Sequence, residues 1–201
     1  CPKCLPQCRS GSGPMFCYES ESECDEVEFD GVAPPAPNFT LLDATSADLK
    51  VAVVRSFLSA KDIHRIHALA RHKDVRSIDD RSDDLVYKHE VWRIEWQLKE
   101  TCGDIYDRLM DTAWALDTRL WHGIREHRVL FPEVEYIAYD VKRLGEPGAI
   151  SKHRDNESQV TAVALLSDPR DFQGGTNYFE GDAGDRFVRL GLGDAVFFYG
   201  D

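Results

Sequence analysis

The chain has 201 residues, 42% hydrophobic, 10% aromatic and 30% charged, and a formal net charge of −12. That composition describes a soluble globular protein long enough for one domain with a proper core. It excludes a membrane span, since no apolar run nears about eighteen residues. It also excludes nucleic acid as a partner, whose phosphates the negative balance would repel.

Five of the six cysteines, Cys1, Cys4, Cys8, Cys17 and Cys24, fall in the first 24 residues. Closely spaced thiolates can share one tetrahedral zinc, but no second C-x-x-C or H-x-x-x-H follows at finger spacing. A small disulfide-linked module in an oxidising compartment explains them at least as well. Asn38-Phe39-Thr40 is an N-glycosylation sequon pointing the same way, towards the secretory pathway and the endoplasmic reticulum. A second such triplet starts at Asn156.

Residues 19–30, "ESESECDEVEFD", hold seven acids and no base, more than half of the net charge. With the following "APPAP" they read as a solvated linker, so 1–37 is an appendage with almost nothing to form a core. The chain opens on Cys1 and stops on a strand-like "GDAVFFYGD". Both ends read as cuts in a longer polypeptide.

A domain is expected over 38–201, with helical support over 50–130 and a β core over 132–201. "LKVAVVRSFL" predicts a strand and turn. The helix in "SAKDIHRIHALARH" starts at an N-cap Ser59 with Asp62 three residues on, a capping box, and puts Ile63, Ile66 and Ala70 on one face. "VWRIEWQL" alternates with period two, Trp92, Ile94, Trp96 and Leu98 on one face, and predicts a half-buried strand. A longer helix is expected over about 102–122, with Ile105, Leu109, Ala113, Leu116 and Leu120 as its buried stripe and Gly123 as C-cap. After Pro132 six short alternating runs follow: "VEYIAYDVKRL", "AISKH", "QVTAVALLS", "TNYFE", "RFVRL" and "DAVFFYG". Strands after a helical pair predict an α+β fold, a sandwich or barrel against two or more helices.

The triplet His153-Arg154-Asp155 carries the chemistry. It does not open a kinase catalytic loop: Val160 stands where that loop needs Asn, and there is no glycine-rich phosphate loop and no D-F-G. On a strand, residues i and i+2 share a face, so His153 and Asp155 would point together. An imidazole and a carboxylate are two corners of the 2-His-1-carboxylate arrangement that leaves open positions on Fe(II).

The surroundings of the triplet, "KHRD", "VTAVALLSDP", "RDFQGG" and later "LGLGDAVFFYGD", resemble the Fe(II)/2-oxoglutarate-dependent dioxygenases of the prolyl/lysyl hydroxylase type. Upstream, "VVRSFLSAKDIHRIHALA" is similar to the opening strand and helix of those domains, so the resemblance covers about residues 50–201. It implies a double-stranded β-helix (a cupin-like jelly roll), Fe(II) held by His153 and Asp155, 2-oxoglutarate as cosubstrate and ascorbate as reductant. The implied reaction is hydroxylation of a prolyl or lysyl side chain on a peptide or protein. Thr161 and Tyr139, with Tyr136 beside it, are candidates to hold the cosubstrate, and Gly174-Gly175 are expected to make a close backbone turn beside the site.

Three departures stand out. No histidine follows His153, so the second histidine ligand and the basic partner of 2-oxoglutarate are expected beyond Asp201. Leu144 and Leu165 occupy positions where many relatives carry a cosubstrate-binding tyrosine. Six candidate strands fall short of the roughly eight of a complete jelly roll, which makes the β-helix C-terminally incomplete. Glu180, Asp182 and Asp185 are the substitute ligands to consider. The rival reading is an inactive jelly-roll interaction module with a disulfide- or zinc-stabilised cysteine segment.

Overall fold

The structure, a computed structural model, describes residues 27–28, 31–42, 50–71, 77–78, 89–124, 129–145, 147–148, 150, 152–155, 158–181 and 184–200. The five N-terminal cysteines, Asn156 and Asp182 lie outside the described residues. In chain order the elements begin with β1 (Val27–Glu28), β2 (Thr40–Leu42), β3 (Val51–Val54), α1 (Ala60–Ala70), β4 (Ser77–Ile78) and β5 (Glu90–Arg93). Next come α2 (Glu95–Thr101), α3 (Gly103–Leu120), β6 (Val129–Leu130), β7 (Glu135–Ala138) and the short α4 (Val141–Leu144). Strands β8 (Thr161–Ala164), β9 (Asn177–Phe179), β10 (Arg186–Val188) and β11 (Ala195–Phe198) follow. Helices and antiparallel sheets make this an α+β architecture.

A four-stranded antiparallel sheet in the order β2-β3-β11-β8 lies at the centre. "VAVV" and "AVFF" are apolar at every position because both faces of these strands are covered. Ala52, Val54, Ala195 and Phe197 face the helices, packing with Ile63, Ile66, Leu69, Leu98, Ile105 and Leu116. Val51, Val53 and Val196 face the other way, under Val188, Leu190 and Phe179 of the β9–β10 hairpin. A second sheet, β4-β5-β7, carries Trp92 and Tyr136 against the helical core.

Helix α1 starts as its sequence predicts. The Asp62 N–H donates to Ser59 Oγ at 3.1 Å, and the Ser59 N–H donates to Asp62 Oδ2 at 2.9 Å. Helix α3 buries Ile105, Leu116 and Leu120 but leaves Leu109 and Ala113 half-buried, and adds Tyr106, Thr112, Ala115 and Asp117 to the buried set. Its C-cap is Trp121, and the left-handed residue is His122 at φ 66° rather than Gly123. Gly123 instead sits where a Cβ would meet Gln159 Oε1 at 2.6 Å and the Tyr199 ring at 3.0 Å.

The strand expected over 91–98 is corrected. It ends at Arg93, and Glu95–Thr101 is a helix. Ile94, Leu98 and Cys102 are buried at 2%, 1% and 4% exposure. Their spacing of four is helical, and positions 94 and 98 satisfy a period of two equally well. Of the six runs after Pro132, five contain strands β7 to β11. "AISKH" contributes one bridge residue, Ile150, and the tail of the first run is the helix α4. Within the segment read as a solvated linker, Val27–Glu28 pair antiparallel with Val129–Leu130, and Ala36 packs on the helical core. Among the described residues no helix is long and apolar enough to cross a membrane.

Candidate metal centre

His153 and Asp155 lie on a loop and not on the strand expected for them. They converge nevertheless, with His153 Nε2 3.0 Å from Asp155 Oδ1 and side chains 40% and 29% exposed. The loop is fastened by backbone. The Asp155 N–H donates to the Gly200 carbonyl at 3.2 Å, and the Ser158 N–H donates back to the Asp155 carbonyl at 3.0 Å. Gly200 must lack a side chain here, because a Cβ would stand 2.6 Å from both Ser158 Cβ and Ser158 O. The loop therefore presses directly on the end of β11.

The 3.0 Å separation is that of an ordinary His–Asp hydrogen bond, and it also matches the spacing of two donors on one divalent ion. Two donors on adjacent corners of an octahedral site, each about 2.1 Å from the metal, lie about 3 Å apart. Glu135 on β7 has its pKa raised, chiefly by burial; Arg93 works against this, while Glu133, Glu95 and Asp155 push it further up. Arg93 Nε stands 3.6 Å from Glu135 Oε1, so this carboxylate already has a cationic neighbour. Among the described residues no group of three His, Cys, Asp or Glu side chains forms a metal set. Of the substitutes considered, Glu180 is in an ion pair with Lys152 and Asp185 is exposed.

Thr161 belongs to this cluster. Its Oγ1 lies 3.0 Å from Ser158 Oγ, and it opposes Phe198 across the β8–β11 ladder. Alternation places Thr161, Val163 and Leu165 on the hairpin side of the sheet, with Val160, Ala164 and Leu166 against the helices. The same rule separates Tyr136 of β7 from Tyr139 just beyond it. Glu135, Ile137 and Tyr139 are exposed, whereas Tyr136 and Ala138 turn inward. Tyr139 therefore shares a face with Glu135. Its ring packs 5.3 Å from His89, and this partial cover of a residue still 45% exposed pushes its hydroxyl up to about 12. Tyr136 points elsewhere. Its hydroxyl meets His67 Nδ1 of α1 at 2.8 Å, while His67 Nε2 reaches the Leu166 carbonyl at 3.2 Å.

Gly174 and Gly175 are not beside the metal pair, which corrects the sequence reading. Strand β8 runs away from the loop, and Leu165 bonds to Gly193 and Asp194 at the start of β11. Extended chain from Asp194 to Gly200 spans about 20 Å. Strand β9 then returns, bringing Phe179 to within 5.0 Å of Phe198 and Glu180 to Lys152. The glycines, at φ 87° and 66°, thus turn the chain at the far end of the sheet. There they line a cavity of about 310 Å³ with Pro169, Phe172, Gln173, Arg189 and Leu190.

Sequence reasoning missed Ser158, Gly200 and Glu135. A terminal glycine after "FFY" carried a usable signal, since glycine ending an apolar strand marks close backbone approach. Ser158 and Glu135 carried none, because their roles depend on chain brought in from elsewhere. No known protein-family model matches the chain, and no curated protein matches it.

Proposed function

We propose that this chain is the core of a non-haem Fe(II)- and 2-oxoglutarate-dependent dioxygenase of the prolyl/lysyl hydroxylase type, acting on a peptide or protein. The observation that carries the reading is the 3.0 Å approach of His153 Nε2 to Asp155 Oδ1, on the loop bonded to Gly200 after β11. In this reading the central sheet and the β9–β10 hairpin are two walls of a jelly roll.

Bound iron, with 2-oxoglutarate and O₂, supplies the oxidising power for an unactivated C–H bond. The chain's own part is to hold and orient. His153 and Asp155 would hold the metal side by side. The backbone bond to Gly200 keeps their loop in place, which limits the reorganisation that binding requires. The Ser158–Thr161 hydroxyl pair offers a donor to a cosubstrate carboxylate. The Tyr139 hydroxyl is a second donor on the Glu135 face. Ascorbate is the reductant this chemistry uses to keep its iron ferrous.

One observation favours a second reading, an interaction module without turnover: only two ligands come together among the described residues. Turnover separates the two. The dioxygenase reading expects succinate release that requires both Fe(II) and 2-oxoglutarate and is abolished in His153→Ala and Asp155→Ala. Protein that binds Fe(II) through these residues yet releases no succinate with any peptide tried supports the module. Fe(II) binding unchanged by both substitutions overturns the metal site itself.

A further inference from the structure

The geometry points to Asn38 as an acceptor of an N-linked glycan, which would cover the open edge of the central sheet. Asn38-Phe39-Thr40 satisfies the acceptor pattern, with no proline in the middle. Such a motif occurs by chance, so its surroundings decide the matter. Phe39 and Leu41 both pack on the helical core, and the Arg119 guanidinium stacks 5.2 Å from the Phe39 ring. In an extended segment, anchoring 39 and 41 inward turns 38 and 40 outward. Asn38 and Thr40 are indeed both exposed. The carboxamide and the hydroxyl that must cooperate in glycan transfer therefore share one outward side.

The approach to the site is also open. Residues 31–39 are in neither helix nor strand, and Pro34, Pro35 and Pro37 favour an extended, solvated backbone. Thr40 begins β2, which among the described residues pairs with β3 alone and so lies at one edge of the sheet. A glycan at Asn38 would shield that edge from pairing with another chain. The second triplet differs. Its Ser158 is half-buried, bonded to Thr161 and part of the loop under the metal pair.

The transfer balances without any redox partner. The Asn38 amide nitrogen bonds to the anomeric carbon of an oligosaccharide carried on a polyprenyl diphosphate. The bond from that carbon to the diphosphate oxygen breaks, polyprenyl diphosphate leaves with the electron pair, and the amide proton passes to the transferase.

The test is translation of the full chain, preceded by a cleavable secretion signal, with endoplasmic-reticulum microsomes that supply the lipid-linked oligosaccharide. The expected result is a protease-protected product carrying an endoglycosidase-sensitive glycan that Asn38→Gln and Thr40→Val each remove. Asn156→Gln should leave it in place. A protected chain with no glycan overturns the proposal, and so does a glycan that survives Asn38→Gln. The glycosylated chain is also expected to melt within a few degrees of Asn38→Gln. A markedly lower melting point would show that Asn38 is not an outward position, and would equally overturn it.

Discussion

The backbone N–H of Asp155 donates to the carbonyl of Gly200, and Gly200 has no room for a side chain. The loop bearing the candidate metal ligands is therefore positioned by the last strand, not by a ladder of its own. Gly200→Ala must push Ser158 and Asp155 away. Overpacking of this kind costs about 1–3 kcal/mol, read as a lower urea midpoint with unchanged slope. The same variant should bind Co(II) more weakly than the parent, although no ligand has been altered.

Removal of the ligands themselves has a thermodynamic signature. Metal bound only to the folded chain stabilises it by about 2.7 kcal/mol when present at a hundredfold excess over its dissociation constant. Co(II) should raise the melting temperature of the parent, and chelation should reverse the rise. His153→Ala and Asp155→Ala should melt at one temperature with or without Co(II).

Asp194 organises the turn into β11. It is 7% exposed and accepts from the Ser56 N–H and the Gly191 N–H, each at 2.8 Å, and from Arg55 at 2.6 Å. Burial acts to raise its pKa, but these donors outweigh burial and hold the carboxyl below 3.8. A group depressed on folding stabilises the native state above its unfolded value, and that contribution disappears as pH falls through the folded one. The urea midpoint should therefore drop as pH is lowered from about 5 through the ordinary aspartate range. Asp194→Ala, which leaves two backbone donors without this acceptor, should cost about 2–4 kcal/mol at neutral pH. Its midpoint should fall less steeply over the same acid range.

His67 joins three elements that are distant in sequence. The Leu166 carbonyl can only accept, so the proton of a neutral ring sits on Nε2, and Nδ1 accepts from the Tyr136 hydroxyl. Tyr136→Phe and His67→Ala should be less destabilising together than their separate losses add up to. A coupling of about 0.5–1.5 kcal/mol in a double-mutant cycle is expected. Strict additivity would show that the contact contributes nothing.

Local chemistry was legible wherever a few neighbouring residues decide it. The capping box at Ser59 and Asp62, the buried runs of β3 and β11, and the helix over Gly103–Leu120 follow from hydrogen-bonding side chains and apolar periodicity within one segment. The failure at Val91–Leu98 has the same origin. Periods of two and of four coincide at Ile94 and Leu98, and only the buried Cys102 and Ile105 beyond them resolve the ambiguity in favour of a helix.

The sequence by itself determined the class of this domain, an α+β chain, and named the pair His153 and Asp155, because both rest on residue type and short spacing. Tertiary structure alone decided where that pair sits and what surrounds it. The bond from Asp155 to Gly200, the opposition of Thr161 to Phe198, and the displacement of Gly174 and Gly175 to the far end of the sheet all depend on segments tens of residues apart. Periodicity says which way a side chain faces along its own strand. It carries no information about which other strand lies opposite, and that is set by the packing of both faces of the central sheet together.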